Sequence, residues 1–222
     1  MAGTPNPLWF LDRSSGEVAL LLLSAAVALG IMRSALPAFQ PFLIEGIHRN
    51  LTLIAIAFGG IHIVAAVADP FAGLNTVDVL VPFLSAYRTT WLGLGVISLY
   101  LFAGVLLSSW PVRHFGRVAW QWLHRVAYAG WVAAVVHSLG AGSDARNPVF
   151  LSLDIVAVVG VLVAFVGVRV AESPRGSRTL KGLVGLAAIL TVVVIAVWAA
   201  DGPMRPGWAR SSGTPPGLLH SP

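Results

Sequence analysis

The sequence contains no cysteine. That one absence removes disulfides, thiolate metal sites, cysteine-ligated iron–sulfur clusters and covalently attached c-type haem. Charge is scarce as well, with Asp, Glu, Lys and Arg making up 10% of the 222 residues. A chain with 57% hydrophobic residues and a mean hydropathy of +0.83 has too little polar surface for a soluble globule and belongs in a bilayer. The formal net charge of +5 comes from arginines scattered between apolar runs. It forms no basic patch interleaved with aromatics, so nucleic acid is not an expected partner. No period of about 20 to 50 residues marks a repeat array.

What remains is a succession of apolar segments divided by short loops rich in Pro, Gly and Arg. They run roughly Gly16–Met32, Ile47–Ala68, Thr89–Trp110, Val118–Gly140, Val149–Val168 and Gly182–Ala200. Each is near the ~20 residues that a helix needs to cross a ~30 Å hydrocarbon core. Strict alternation is missing and a helix satisfies its own backbone in lipid, so the pattern predicts helices and not a barrel. The expected fold is an all-α membrane protein of about six transmembrane helices forming a bundle over residues 16–200. The polar segment 1–15 lacks a basic cluster, and no small-residue cleavage site follows the first apolar run, which predicts a retained helix and not a cleaved signal. Residues 201–222, dense in Pro, Gly and Ser, are expected to form a disordered tail.

Positive residues near helix ends are retained on the cytoplasmic side. Loops one, three and five with their flanks hold nine: Arg33, Arg49, Arg113, Arg117, Arg125, Arg169, Arg175, Arg178 and Lys181. The N-terminus, loops two and four and the tail hold five: Arg13, Arg88, Arg146, Arg205 and Arg210. The imbalance predicts a multi-pass protein of the cell membrane, in contact with lipid, with both termini outside.

Four histidines lie within the apolar segments, where an imidazole is costly unless it has a partner, a cavity or a ligand. His48 and His62 share the second segment, and His124 and His137 share the fourth. Their separations are 14 and 13 residues, which at ~1.5 Å rise per residue puts about 20 Å between the members of each pair. The two segments have one helix between them and so run the same way, which places His48 beside His124 at an inner level and His62 beside His137 at an outer one. Two imidazoles facing each other across helices are the axial ligands of a six-coordinate b-type haem, which needs no cysteine. Two such haems are expected, and filled axial positions predict one-electron transfer and no substrate site at the metal. A spacing of 14 brings His62 back within about 40° of His48, but 13 leaves His137 about 140° from His124 on an ideal helix. Either the fourth helix bends or changes pitch, for which Gly130 is a candidate site, or the two haems are approached from different sides of it.

These residues resemble the ferric reductase-like transmembrane domain, shared by ferric-chelate reductases, NADPH oxidases and the haem-binding membrane subunit of a bacterial methionine sulfoxide reductase system. The likeness covers roughly Arg33 to Arg169. It rests on the paired histidines, on IHRN opening the first pair and on RHFGRVAWQWLHRVAYAGWVAAVVH carrying the second. It is closest to a bacterial subgroup with a D-P-F loop after His62, a VPFLSAYRTTWLGLG segment and an H-x-L-x-A-G-S-D ending at Asp144. The resemblance implies bis-histidine haem, electron flow from the cytoplasmic face outward, and a flavin and nicotinamide module on the inside. No G-x-G-x-x-G between strand and helix patterns is present here. The donor is therefore expected to be a flavin-containing reductase carrying FMN or FAD, a quinol or a bound flavin.

Arg49 and Arg125 directly follow the two inner histidines; they fit either haem propionates, which a guanidinium can hold by paired hydrogen bonds, or topological anchoring. Arg88 is placed likewise for the outer haem. Trp120, Trp122 and Trp131 fit haem edges, the bilayer interface or, as the better reading for any one of them, helix packing, and His114 and His220 read as solvated surface. A competing reading is a proton or metal-ion transporter that uses the histidines as a relay. It requires carboxylates at the same depth, yet only Asp154 and Glu17 enter an apolar run. A third reading is an assembly subunit without a cofactor.

Overall fold

The computed structural model describes residues 6–33, 41–70, 72–109, 116–141, 147–172 and 178–214. Trp110, Arg113, His114, Asp144, Arg146, Arg175 and His220 lie outside the described residues. The helices are α1 (Pro7–Met32), α2 (Pro41–Ala68), the short α3 (Thr76–Leu80), α4 (Thr89–Ser109), α5 (Arg117–Ala141), α6 (Pro148–Glu172), α7 (Arg178–Asp201) and the single turn α8 (Trp208–Ser211). There is no strand among the described residues. Six of these helices have at least 21 residues, enough at ~1.5 Å per residue to cross a hydrocarbon core of about 30 Å. Five of the six are also continuously apolar. The exception, α5, carries Gln121, His124, Arg125 and His137 and lies along α4 while touching α1 and α6. The chain is an all-α membrane protein of about six transmembrane helices.

α1 begins nine residues before the apolar run suggests. Asn6 caps it by accepting a hydrogen bond from the Trp9 N–H (2.8 Å) and Pro7 supplies a preset first turn. The DRSSGE stretch, most of which falls in the polar segment 1–15, is helix, because Asp12, Ser15 and Glu17 turn toward the bundle and are buried. The Asn6 amide also donates to Asp69 Oδ1 (3.0 Å), fastening the start of α1 to the end of α2.

α1, α5 and α6 meet in a core of Leu20, Val27, Trp131, Val135, Leu139, Val158 and Val161. Apolar burial gives little drive between helices in lipid, so shape and the few polar contacts set the packing. Trp131 Nε1–H donates to Ser24 Oγ (2.8 Å) and Ser98 Oγ–H to the Gly130 carbonyl (2.9 Å), locking α5 to α1 and to α4. Gly130 allows that approach, since a Cβ there would lie 3.3 Å from Leu101 and Phe102. α5 runs unbroken through this residue. α7 touches the bundle chiefly through α6, and its Leu183, Ile189 and Val194 face outward, as expected of a lipid-facing helix.

Residues 202–214, expected to be disordered, are folded onto the bundle. The Trp208 ring packs 5.3 Å from that of Trp91 and its Nε1–H donates to the Gly140 carbonyl (3.1 Å). Trp198 joins the same stack. Arg88, 2% exposed and at a positive φ of 43°, donates from Nη1 to the carbonyls of Gly140 and Ala141 and from Nε to Thr214 Oγ1 (3.0 Å). One guanidinium thus caps the end of α5 and pins the segment that follows α7. Asn6 and Thr214 consequently lie at the same end of the bundle, the end that also holds His62 and His137.

Candidate cofactor site between two helices

α1 packs along α2 and α4 packs along α5, while α2 and α5 make no extensive contact with each other. The gap between these two helices is where the four histidines meet. The ring centroids of His48 and His124 are 6.0 Å apart, and those of His62 and His137 are 6.2 Å apart. A metal–imidazole bond is about 2 Å and a ring nitrogen lies roughly 1 Å from its ring centre, so one metal between two imidazoles requires about 6 Å between centroids. Direct packing or a hydrogen bond between the rings would not require this separation at both levels.

The second nitrogen of each ring shows how the rings are held. His48 Nδ1 lies 3.0 Å from the Ala26 carbonyl, His62 Nδ1 2.9 Å from the Asp12 carbonyl, and His137 Nδ1 2.9 Å from the Trp91 carbonyl. His62 Nδ1 is also 2.8 Å from Asp12 Oδ1. An Nδ1–H donated to a carbonyl fixes the tautomer that leaves Nε2 with a free lone pair, the arrangement a metal-ligating histidine uses.

Each of these three carbonyls stands four residues before a glycine on its own helix: Asp12 and Gly16, Ala26 and Gly30, Trp91 and Gly95. A Cβ on Gly16 would sit 2.8 Å from His62 Nδ1, and one on Gly95 2.7 Å from His137 Nδ1. On Gly30 the nearest ring atom, His48 Cε1, would be 3.5 Å away. The glycines leave room for the imidazole to lie flat against the neighbouring helix and reach a carbonyl that is already in the helical ladder. His124 differs. Its Nδ1 is buried without a partner among the described residues, and its ring stacks on Trp120 (4.9 Å, 26°).

At the His62–His137 level a cavity of about 390 Å³ opens between the helices. Its walls include Gly59 and Gly60 of α2, where a Cβ would meet nothing within 4 Å, so the chain leaves space for a flat ligand edge. Arg13, Glu17 and Asp154 also line it. Asp154 accepts from Ser138 Oγ–H (3.1 Å), next to His137 in sequence. Asp154 and Glu17, the two carboxylates that the sequence places in apolar runs, therefore stand at the depth of one histidine pair. Asp12, which lies 2.8 Å from His62 Nδ1, was missed because it falls in the polar segment 1–15. The described residues hold no cluster of three or more His, Asp or Glu side chains able to bind a bare metal ion.

Among the arginines singled out by sequence, Arg49 and Arg125 lie at the His48–His124 level and are exposed, with Arg125 over the Trp122 ring at 4.5 Å. Arg88 is directed at the end of α5 and at Thr214 and does not line the cavity. Arg13, which sequence reasoning left among the loop charges, does.

No protein-family model matches the chain, and no solved structure matches it significantly. Curated relatives do. The protein-methionine-sulfoxide reductase heme-binding subunit MsrQ of Bordetella pertussis is 29% identical over 169 residues, covering 72% of this chain and 76% of the relative. The protein of the same name from Ralstonia nicotianae is 28% identical over 178 residues, covering 78% and 76%. That of Caulobacter vibrioides is 33% identical over 161 residues, covering 69% of this chain and 71% of the relative. The matches agree with the likeness to the membrane subunit of a methionine sulfoxide reductase system that the histidine pattern carries. By this identity and this coverage, the chain belongs to the family of the protein-methionine-sulfoxide reductase heme-binding subunit MsrQ.

Proposed function

We propose that this protein is the haem-binding electron-transfer subunit of a membrane methionine sulfoxide reductase system, holding two b-type haems stacked across the bilayer. The observation that carries the reading is the pair of facing imidazoles at each of two levels, with centroids 6.0 and 6.2 Å apart. The relatives' name supports the haem and the reductase assembly. Haem iron supplies one-electron chemistry. His62 and His137 would hold one haem, and His48 and His124 the other. The Asp12, Ala26 and Trp91 carbonyls aim three of these rings and raise their basicity as ligands. Arg49 and Arg125 are assigned to the propionates at their level, and Arg13 takes over at the other level the part that its position had suggested for Arg88.

The direction assigned is outward. The nine-to-five distribution of positive residues puts the His48–His124 level inside and the His62–His137 level, with both termini, outside. A cytoplasmic-side donor, either a flavin-containing reductase carrying FMN or FAD or a quinol, would deliver electrons. A methionine sulfoxide reductase partner would accept them on the outer face. A nicotinamide donates a two-electron hydride and a haem accepts one electron at a time, so a flavin or its equivalent must stand between them.

The proton or metal-ion relay gains a foothold from Glu17 and Asp154 beside His62 and His137. It has no explanation for two imidazole pairs at metal-bridging distance, three of whose four rings have Nδ1 tied to backbone. The optical spectrum of the purified protein decides. A Soret band with sharp reduced α bands, reducible by dithionite but not by NADPH alone, is expected. A colourless protein at full occupancy of the membrane fraction contradicts the reading, and rapid reduction by NADPH with no flavoprotein present contradicts the separate donor. A reporter fused after Pro222 should be active only outside the cytoplasm, and a fusion that works inside would reverse the direction.

A further inference from the structure

The four histidines are not equally held, and the reason lies in helix phase. On α2 the histidines are 14 residues apart. On α1 the supporting glycines, Gly16 and Gly30, are also 14 apart, as are the carbonyls of Asp12 and Ala26 that receive the two rings. Equal spacing keeps the two antiparallel helices in register over the whole distance, so one device serves both levels. On α5 the spacing is 13, which turns His124 about 140° away from His137 on an ideal helix. α5 shows no break that would restore the phase. His137 therefore meets α4 through Trp91 and Gly95, and His124 cannot meet it in the same way.

The counterpart of Gly95 thirteen residues on is Ser108, followed by Ser109. Both hydroxyls donate to the Val105 carbonyl at 2.8 Å, so two side chains stand where the other level has a glycine. His124 Nδ1 is left buried and unpartnered among the described residues. Its ring is supported from its own helix by Trp120, whose indole N–H reaches only distantly toward Ser109 Oγ (3.5 Å). A ring without an Nδ1 hydrogen bond is a poorer ligand and is freer to turn.

We propose that His124 is the exchangeable axial ligand, so that the His48–His124 level opens to one small uncharged exogenous ligand while the His62–His137 level stays closed. The inference rests on the two-haem reading above. In such an exchange His124 Nε2 would give up its bond to iron as one iron–ligand bond formed, with no electron gained or lost. Trp120 acts as a positioning residue, holding the free ring near its place.

Carbon monoxide added to the dithionite-reduced full chain in detergent is the probe, after the haem-to-protein ratio has been measured. The expected result is two haems per chain and saturation at one CO per chain. The His62→Ala/His137→Ala double variant should keep one haem and all of the CO binding, whereas His48→Ala/His124→Ala should keep one haem and bind none. Trp120→Ala, which leaves all four ligands in place and covers the case in which a double variant fails to fold, should raise the CO association rate about threefold to tenfold, the worth of an aromatic stack. Two haems with no CO binding, with two CO bound, or with CO binding that survives only in the His48→Ala/His124→Ala variant would overturn the proposal and leave the bis-histidine reading standing. A CO rate unchanged in Trp120→Ala would remove Trp120's part and the support on which the lability argument depends. A native chain with no haem would overturn both.

Discussion

Along α1 and α2 one device occurs twice: a carbonyl, a glycine four residues later, and a histidine on the neighbouring helix lying against that glycine. Along α4 and α5 it occurs once, at Trp91, Gly95 and His137. Both helix pairs bring two imidazoles to the central gap at nearly equal separations. The contrast is in what stands behind the rings. Where the spacing on both helices is 14 residues, the backbone of one helix orients both side chains of the other. Where it is 13, the second ring must be supported from its own helix. Histidine spacing along a transmembrane helix thus fixes more than depth, since it also decides whether the neighbouring helix can act as a second layer of support.

The largest effect expected from breaking this comparison is the loss of a whole cofactor. His62→Ala or His137→Ala should lower the haem content from about two per chain to about one, and His48→Ala should do the same for the opposite haem. Haemochrome assay against protein concentration checks this, and a His62 or His137 variant that keeps both haems would break the pairing.

Glycine substitutions sharpen the comparison next. Gly16→Ala and Gly95→Ala each put a methyl carbon less than 3 Å from an imidazole nitrogen, too close for any ordinary contact, and the backbone of α1 or α4 must yield. Both should shift the α band of the His62–His137 haem and lower its occupancy by at least half. Gly30→Ala meets its histidine at 3.5 Å, an ordinary van der Waals distance, and should leave the spectrum unchanged. Equal damage from all three would mean that glycine matters here for helix packing alone.

Smaller effects concern stability without a spectral change. Arg88→Ala strips the donors from the Gly140 and Ala141 carbonyls and from Thr214. It should cost about 1–3 kcal/mol and expose residues 202–214 to limited proteolysis. Ser24→Ala removes the acceptor of the Trp131 Nε1–H bond with little change in volume. Single interhelical hydrogen bonds in lipid contribute about 0.6 kcal/mol on average, so its melting temperature in detergent should fall by only a few degrees.

The four histidines and their pairing were legible because depth and helix direction follow from residue spacing and the number of crossings. The cradle around them was not, since it is made of backbone carbonyls and of the missing side chains of glycines. One trace of it was present, in that Gly16 and Gly30 repeat the 14-residue interval of His48 and His62. Composition misjudged both ends of the described chain. The DRSSGE stretch looked like the end of a polar segment ahead of the first helix because burial of Asp12, Ser15 and Glu17 depends on what lies opposite them. Residues 202–214 looked disordered because Pro, Gly and Ser outnumber apolar residues there. A single tryptophan on the Trp91 ring and a buried arginine from a distant loop suffice to hold them. The part of Arg88 was misread for a related reason, because proximity in sequence to an apolar run does not reveal that a helix end nearby lacks donors.

The most direct test of the account is the haem stoichiometry of the purified full chain, read together with low-temperature EPR of the oxidised protein. Two low-spin haems per chain are predicted, each lost with its own histidine pair: one with His62 or His137, the other with His48. A single haem, a high-spin centre in the His62→Ala/His137→Ala background before any ligand is added, or a protein that purifies folded and colourless would contradict it.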